Sequence, residues 1–334
     1  NIRVINLSLG RGIYESYTLD PVCQAVEAAW KSGIVVVVAA GNGGRNNDYG
    51  TQGYAMIQAP GNDPNVITVG ATKTNGTPAR LDDTVASYSA KGPTLLDHVV
   101  KPDLVAPGNR VVSLASPGST LVSSLLSLNI QPITNCVLGL LGNNNCGLSG
   151  KYTRLSGTSM ATPIVAGAAA LMFQKDPTLT PDTIKARMMK TAWKGYPGNS
   201  WGYDSKGKSY FSQYDVFTIG AGYLDVYSAL KSNEVVNGGA PSPIAYRNTA
   251  TGKYGFMNSQ SITWGNSITW GSSIIWGNSI VWGGSCLVSD SIIWGDSIVW
   301  GDTTLAANSI IWSESIVWGA NSMNALSDGE DGEN

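Results

Sequence analysis

Apolar positions change their spacing along this chain, and the changes mark out its elements. Residues 3–10, "RVINLSLG", are a short apolar run ending in glycine, which predicts a strand. "LDPVCQAVEAAWKSG" sets Val22, Val26, Ala29 and Trp30 at helical spacing. Asp20 is its N-cap, Pro21 takes the first helical position and Gly33 follows the end. "IVVVVAAGN" does not alternate at all, and a continuous β-branched run of that length predicts a strand buried on both faces. "NVITVGAT" and "LVAPG" predict two further short strands. "TSMATPIVAGAAALMFQ" carries Ala and Gly on every side of a helix and so belongs in a core. "LTPDTIKARMMKTA" predicts an amphipathic surface helix, with Thr180 as N-cap, Pro181 next and Asp182 in the first turn. "GAGYLDVYSAL" adds a Gly-rich turn and a last helix. Doubly buried strands alternating with helices argue an α/β class, a doubly wound and mainly parallel sheet, over residues 1–235.

Beyond residue 235 the pattern changes. "NGGAPSP" is linker-like, and residues 236–259 are assigned as a linker. From about residue 260 a six-residue unit takes over, with Trp at 264, 270, 276, 282, 294, 300, 312 and 318. The two double gaps are filled in register by "GGSCLV" and "GDTTLA". A period that never slips predicts stacked or serially paired identical units, a small β-repeat appendage over residues 260–320. Gly followed by Asn, Asp or Ser suits two-residue hairpins, and a hexapeptide solenoid is the other β form. Six is an even period, so Ile and Trp fall on one face of any strand. Regular aromatics beside Asn, Asp and Ser would stack on a surface or a polysaccharide, or would fill the repeat's own core. Residues 321–334 read as a solvated acidic tail.

Composition narrows the function. Only 13% of the 334 residues are charged and 40 are Gly. The net charge is −2, and Asp328, Glu330, Asp331 and Glu333 supply much of the negative side. That profile fits a secreted hydrolase better than a nucleic-acid binder, and no basic footprint argues for DNA or RNA. There is no eighteen-residue apolar run to span a membrane. The chain opens on its first strand with no leader and with Asn rather than Met, and reads as cut from something longer. Cys23, Cys136, Cys146 and Cys286 lack the CxxC spacing of a zinc site. Cys136 and Cys146 bracket "VLGLLGNNN" and are either a loop-closing disulfide or two buried thiols.

"LSGTSMATP" presents Ser159 among small residues at the start of a helix, where free N–H groups and the positive dipole end favour developing negative charge. A serine hydroxyl needs a base to take its proton. The single histidine, His98, lies in the loop "LLDHVVKPD". Four ordered motifs carry a resemblance here. "GTSMATP" followed by "VAGAAALM" resembles the serine motif of subtilisin-like serine proteases. "VINLSLG" resembles their substrate-binding strand, "VVVVAAGN" their oxyanion-hole segment, and "KPDLVAPG" after "ASYSAKGP" the stretch leading to the serine motif. The likeness covers about residues 2–230.

That resemblance implies a serine endopeptidase acting on extended polypeptides through an acyl-enzyme on Ser159. The Ser159 N–H and the Asn42 side-chain amide would hold the oxyanion. It implies that Ser8, Leu9 and Gly10 pair their backbone with substrate by strand addition, and that Ala39, Ala40 and Gly41 wall the primary specificity pocket. No cofactor is identified; structural calcium is implied by the family alone, and no acidic cluster identifies a metal site. In this family the chain order is Asp, His, Ser, and the first two precede the "INLSLG" segment. His98 comes after Asn42, outside that order, so it is not assigned as the base. The expectation is a peptidase domain incomplete at its N-terminus, with Asp and His supplied by a missing N-terminal segment or a second chain. The competing class is a catalytically inert pseudo-protease, or a cell-surface binding or structural repeat protein.

Overall fold

The computed structural model describes residues 2–47, 50–116, 118, 152–236 and 238–247, the backbone of Tyr254–Met257, and four two-residue strands between 280 and 315. Cys136, Cys146, the acidic tail and, apart from those two-residue strands, the Trp repeat lie outside the described residues.

The first strand, β1, runs Val4–Leu7 and leads to helix α1, Pro21–Lys31. Asp20 caps α1 by accepting from the Val22 and Cys23 N–H groups, and Gly33 takes a φ of 87° just past its end. The buried stripe is Cys23, Val26 and Trp30; Val22, expected to face inward, is exposed and Cys23 takes its place. Strand β2, Val35–Ala39, pairs parallel with β1 and, on its other side, with β3, Ile67–Lys73. No residue of β2 exceeds 3% exposure, as the unbroken Val run predicts. A short β4, Thr84–Val85, runs antiparallel to the end of β3. β5, Leu104–Pro107, pairs parallel with the other edge of β3. The parallel order is therefore β1-β2-β3-β5, an α/β sheet. The antiparallel pair of β6, Val111–Leu114, and β7, Tyr152–Leu155, delivers the chain to α2, Thr158–Lys175.

Helix α2 packs across β1, β2, β3 and β5 through Ala161, Val165, Ala168, Ala169 and Met172. Small residues let it lie close to the sheet. It is not buried all round, however: Pro163, Gly167, Ala170 and Leu171 form an exposed stripe, Leu171 at 46%.

Helix α3, Pro181–Thr191, begins at the expected Thr180 cap but is not a surface helix. Residues Thr183–Met189 are all buried, Lys185 and Met188 at 0%. The reason is a cage that its charge pattern does not reveal. Five oxygen atoms of the described residues surround the Lys185 ammonium: Pro64 O at 2.7 Å, Ser242 Oγ at 2.9 Å, Asn65 O and Val66 O at 3.2 Å, and Asp103 Oδ1 at 3.3 Å. Lys101 joins through Asp103 Oδ2 at 2.7 Å and Val66 O at 2.9 Å. Burial alone would push the Asp103 carboxyl up, but the two ammonium groups hold it below its ordinary range. Burial brings Lys101 down to about 7 against the pull of Asp103.

After α3 come the hairpin of β8, Asn199–Tyr203, and β9, Ser209–Gln213, and two short helices, α4, Val216–Ile219, and α5, Val226–Lys231. The chain then straps back over α3. The Ala240 N–H donates to Asp182 Oδ1 at 2.7 Å, Ser242 enters the cage, and the Ala245 N–H donates to His98 O. This strap continues into β10, Ile244–Arg247, which pairs with β11, Tyr254–Met257.

Candidate active site

The site lies where β1 and β2 end beside the first turn of α2. β1 delivers Ser8, Leu9 and Gly10, all exposed. β2 delivers Ala39 and Ala40, both buried, then Gly41 and Asn42. Gly41 has a φ of 106°, which a glycine adopts without strain. α2 delivers Thr158 and Ser159 after Gly157, itself at a φ of 152°.

Thr158 locks the orientation of Asn42. Its backbone N–H donates to Asn42 Oδ1 at 2.9 Å, and its hydroxyl donates to the same oxygen at 3.1 Å. The hydroxyl in turn accepts from the Gly41 N–H at 3.1 Å. With the amide oxygen taken twice, Nδ2 is left as the donor, and it packs against Gly157: a Cβ added there would lie 3.3 Å away. A preset amide donor beside the N-terminal turn of a helix can donate to a negatively charged oxygen. Sequence reasoning missed Thr158. Its place between Gly157 and Ser159 was the available signal, but only the contact with Asn42 gives it a task.

Ser159 is half-buried and bonded to the end of β1. Its hydroxyl donates to Ser8 O at 3.3 Å, while Ser8 Oγ donates to Ser159 O at 2.7 Å. The structure thus brings together Ser8, Ser159 and, through Thr158, Asn42 and Gly41. Ala39 and Ala40 stand behind them, with the Ala40 N–H on Val69 O and the Gln58 N–H on Ala40 O.

His98 belongs elsewhere. It sits in an exposed turn with a φ of 54°, its N–H on Thr94 O. The neighbouring Asp97 carboxylate accepts from the Ser16 hydroxyl at 2.6 Å and the Tyr17 N–H at 2.9 Å. That carboxylate is committed to another loop.

Among the described residues no group of three or more His, Cys, Asp or Glu side chains can hold a metal ion. The calcium implied by the resemblance therefore finds no such donor set there, and the oxygen-rich cage is filled by the Lys185 ammonium. Among the described residues no helix is long and apolar enough to cross a membrane.

The model of the subtilase family, Peptidase_S8, matches residues 1–223. The chain belongs to the subtilase family. Serine protease AprX of Bacillus subtilis (strain 168) is 40% identical over 60% of this chain and 40% of its own length. Subtilisin DY of Bacillus licheniformis is 36% identical over 57% of this chain and 49% of its own. Among solved structures, proteases from Pseudoalteromonas arctica align with a TM-score of 0.42 and 26% identity, over 68% of this chain and 50% of theirs. This subtilase chain thus spans less than half the length of these two curated relatives.

Proposed function

We propose that this chain carries the serine half of a subtilisin-like endopeptidase. In this reading Ser159 attacks the peptide carbonyl and forms an acyl-enzyme, and water then releases the acyl group. The developing oxyanion lies between the Ser159 N–H and Asn42 Nδ2. Ser8, Leu9 and Gly10 take the substrate backbone, and Ala39, Ala40 and Gly41 stand behind its side-chain pocket. The observation that carries the reading is the Thr158–Asn42 lock, which aims an amide donor beside a serine at a helix N-terminus.

The general base and the acid that orients it come, in this proposal, from residues outside this chain. Two features support a docking place for them next to Ser159. Among the described residues β1 pairs only with β2, and the exposed stripe of Pro163, Gly167, Ala170 and Leu171 runs along α2. An extracellular location and a surface- or polysaccharide-binding role for the Trp repeat belong to the same proposal.

The test is labelling by a fluorophosphonate probe. This chain combined with a segment carrying the Asp and His motifs labels at Ser159, and Ser159→Ala abolishes the label. The chain alone labels at least a thousandfold more slowly, because without the other members of a triad only a residual rate remains. A combined protein that fails to label at Ser159 would point instead to the inert, surface-binding reading. The pairing of Ser159 with a carbonyl rather than a base favours that reading for the chain alone.

A further inference from the structure

Gly10 ends the β1 side of the cleft and Gly41 the β2 side, and one side chain lies against both. A Cβ placed on Gly10 would fall 2.7 Å from Gln58 Oε1 and 2.9 Å from Gln58 Cβ. A Cβ on Gly41 would fall 2.8 Å from Gln58 Cγ and 3.0 Å from its Cδ. Glycine at both strand ends is thus what admits Gln58 between them. Its backbone is tied to both sides as well. The Gln58 N–H donates to Ala40 O at 3.0 Å, and the adjacent Ala59 exchanges hydrogen bonds with Arg11 at 2.9 and 3.0 Å.

The Gln58 carboxamide is half-buried and makes no hydrogen bond with the described residues. An amide offers two donors and an acceptor, and a group drawn out of water has a free-energy reason to find partners for them. It fills the gap between the strand ends at the level of their backbone, so little depth is left for a bulky side chain. It carries no charge, so it offers no counter-ion to a charged one.

We infer that Gln58 is the floor of the pocket for the substrate side chain at the cleavage position. There it selects short, uncharged, hydrogen-bonding side chains, asparagine first and serine next, over large aromatic ones. This rests on the peptidase reading of the cleft and names its substrate class. Asparagine matches the amide donor for acceptor and acceptor for donor; an aromatic ring leaves it unpaired and needs it to move.

Peptide binding tests this without a general base. Fluorescent tetrapeptides with a free carboxylate, identical but for a last residue of Asn, Phe or Lys, are titrated into the chain and followed by anisotropy. The Asn peptide binds about tenfold tighter than the Phe peptide, the size of effect expected for the net gain of one hydrogen bond. Gln58→Gly reverses that order. Gln58→Glu, nearly isosteric, brings the Lys peptide up by about tenfold, which a purely structural role for Gln58 would not do. Circular dichroism confirms the fold of each variant, and the isosteric change stands alone if the glycine variant does not fold. Binding with the same order in every protein overturns the role of Gln58 and leaves the cleft intact. Binding of no peptide to any of them overturns the cleft as a peptide site, and this inference with it.

Discussion

The two edges of the parallel sheet are finished differently. At the β5 edge, Leu104, Val105 and Ala106 are fully buried, and the segment Gly222–Leu224 bonds to Val105 from outside. Asp103, just before β5, anchors the ion cage that joins Pro64–Val66, α3 and the C-terminal strap. At the β1 edge, Val4, Ile5 and Leu7 are only half-buried and Ile2 is 68% exposed. One edge is closed by a self-sufficient network, and the other presents backbone that, among the described residues, is unpaired beside Ser159. Cohesion is therefore concentrated on one side of the molecule and the proposed chemistry on the other. Damage to the two sides should separate, one showing in stability and the other in reactivity.

The largest effect is expected at the open edge. The Val35 N–H bonds to Arg3 O, so Arg3 faces β2, and by strand alternation Val4, Asn6 and Ser8 turn their backbone groups outward. Asn6→Pro removes one outward N–H while sparing the inward ladder, a change that edge strands tolerate. If the catalytic segment docks here as a strand, fluorophosphonate labelling of the combined protein falls by at least a hundredfold, and the melting temperature of the chain alone barely moves. Unchanged labelling would show that the segment docks elsewhere.

The closed edge breaks in the opposite sense. Asp103→Asn leaves the Lys101 and Lys185 ammonium groups buried at 0% exposure without their carboxylate. Removing one partner of a buried ion pair costs about 3–5 kcal/mol. Urea denaturation reads that loss directly, and a variant within about 1 kcal/mol of the parent would mean that the cage is not the anchor its geometry implies.

The same contrast explains what the sequence could reveal. Elements whose burial is set by their own pattern were legible: the Val run of β2, the Asp20 and Thr180 caps, the small-residue helix after Ser159. The family was legible because its motifs keep short, fixed spacings, as in "GTSMATP". What stayed hidden depends on contacts between distant segments. α3 read as a surface helix because Lys185 and Arg187 look solvated in one dimension; their partners are Pro64, Asp103, Glu234 and Ser242. α2 read as buried all round because composition cannot tell which face another segment must cover. Gln58 gave no signal, since its meaning lies in two glycines that precede it by 48 and 17 positions.

A smaller effect separates two buried lysines. Lys185 has five oxygens about it, whereas Lys91, at 2% exposure, has Gln52 O at 3.0 Å and the Tyr54 ring at 5.3 Å. Burial lowers Lys91 to about 8, with the charge of Asp215 opposing. Asp215, raised by its own burial to about 6, is ionised above that pH, and Tyr54, raised well above its ordinary value, stays neutral. In the unfolded chain a lysine keeps its proton to about pH 10.4. Between about 8 and 10.4 the unfolded state therefore binds more protons than the folded state, and the contribution of Lys91 to stability rises with pH. From pH 8 to pH 9 that amounts to about 1 kcal/mol. Lys91→Met keeps the length of the side chain and removes the titration. The difference in unfolding free energy between parent and variant should shift by that amount across the interval, in the parent's favour at the higher pH. A difference that stays flat would mean that Lys91 reaches water and shares none of the isolation that defines the closed side.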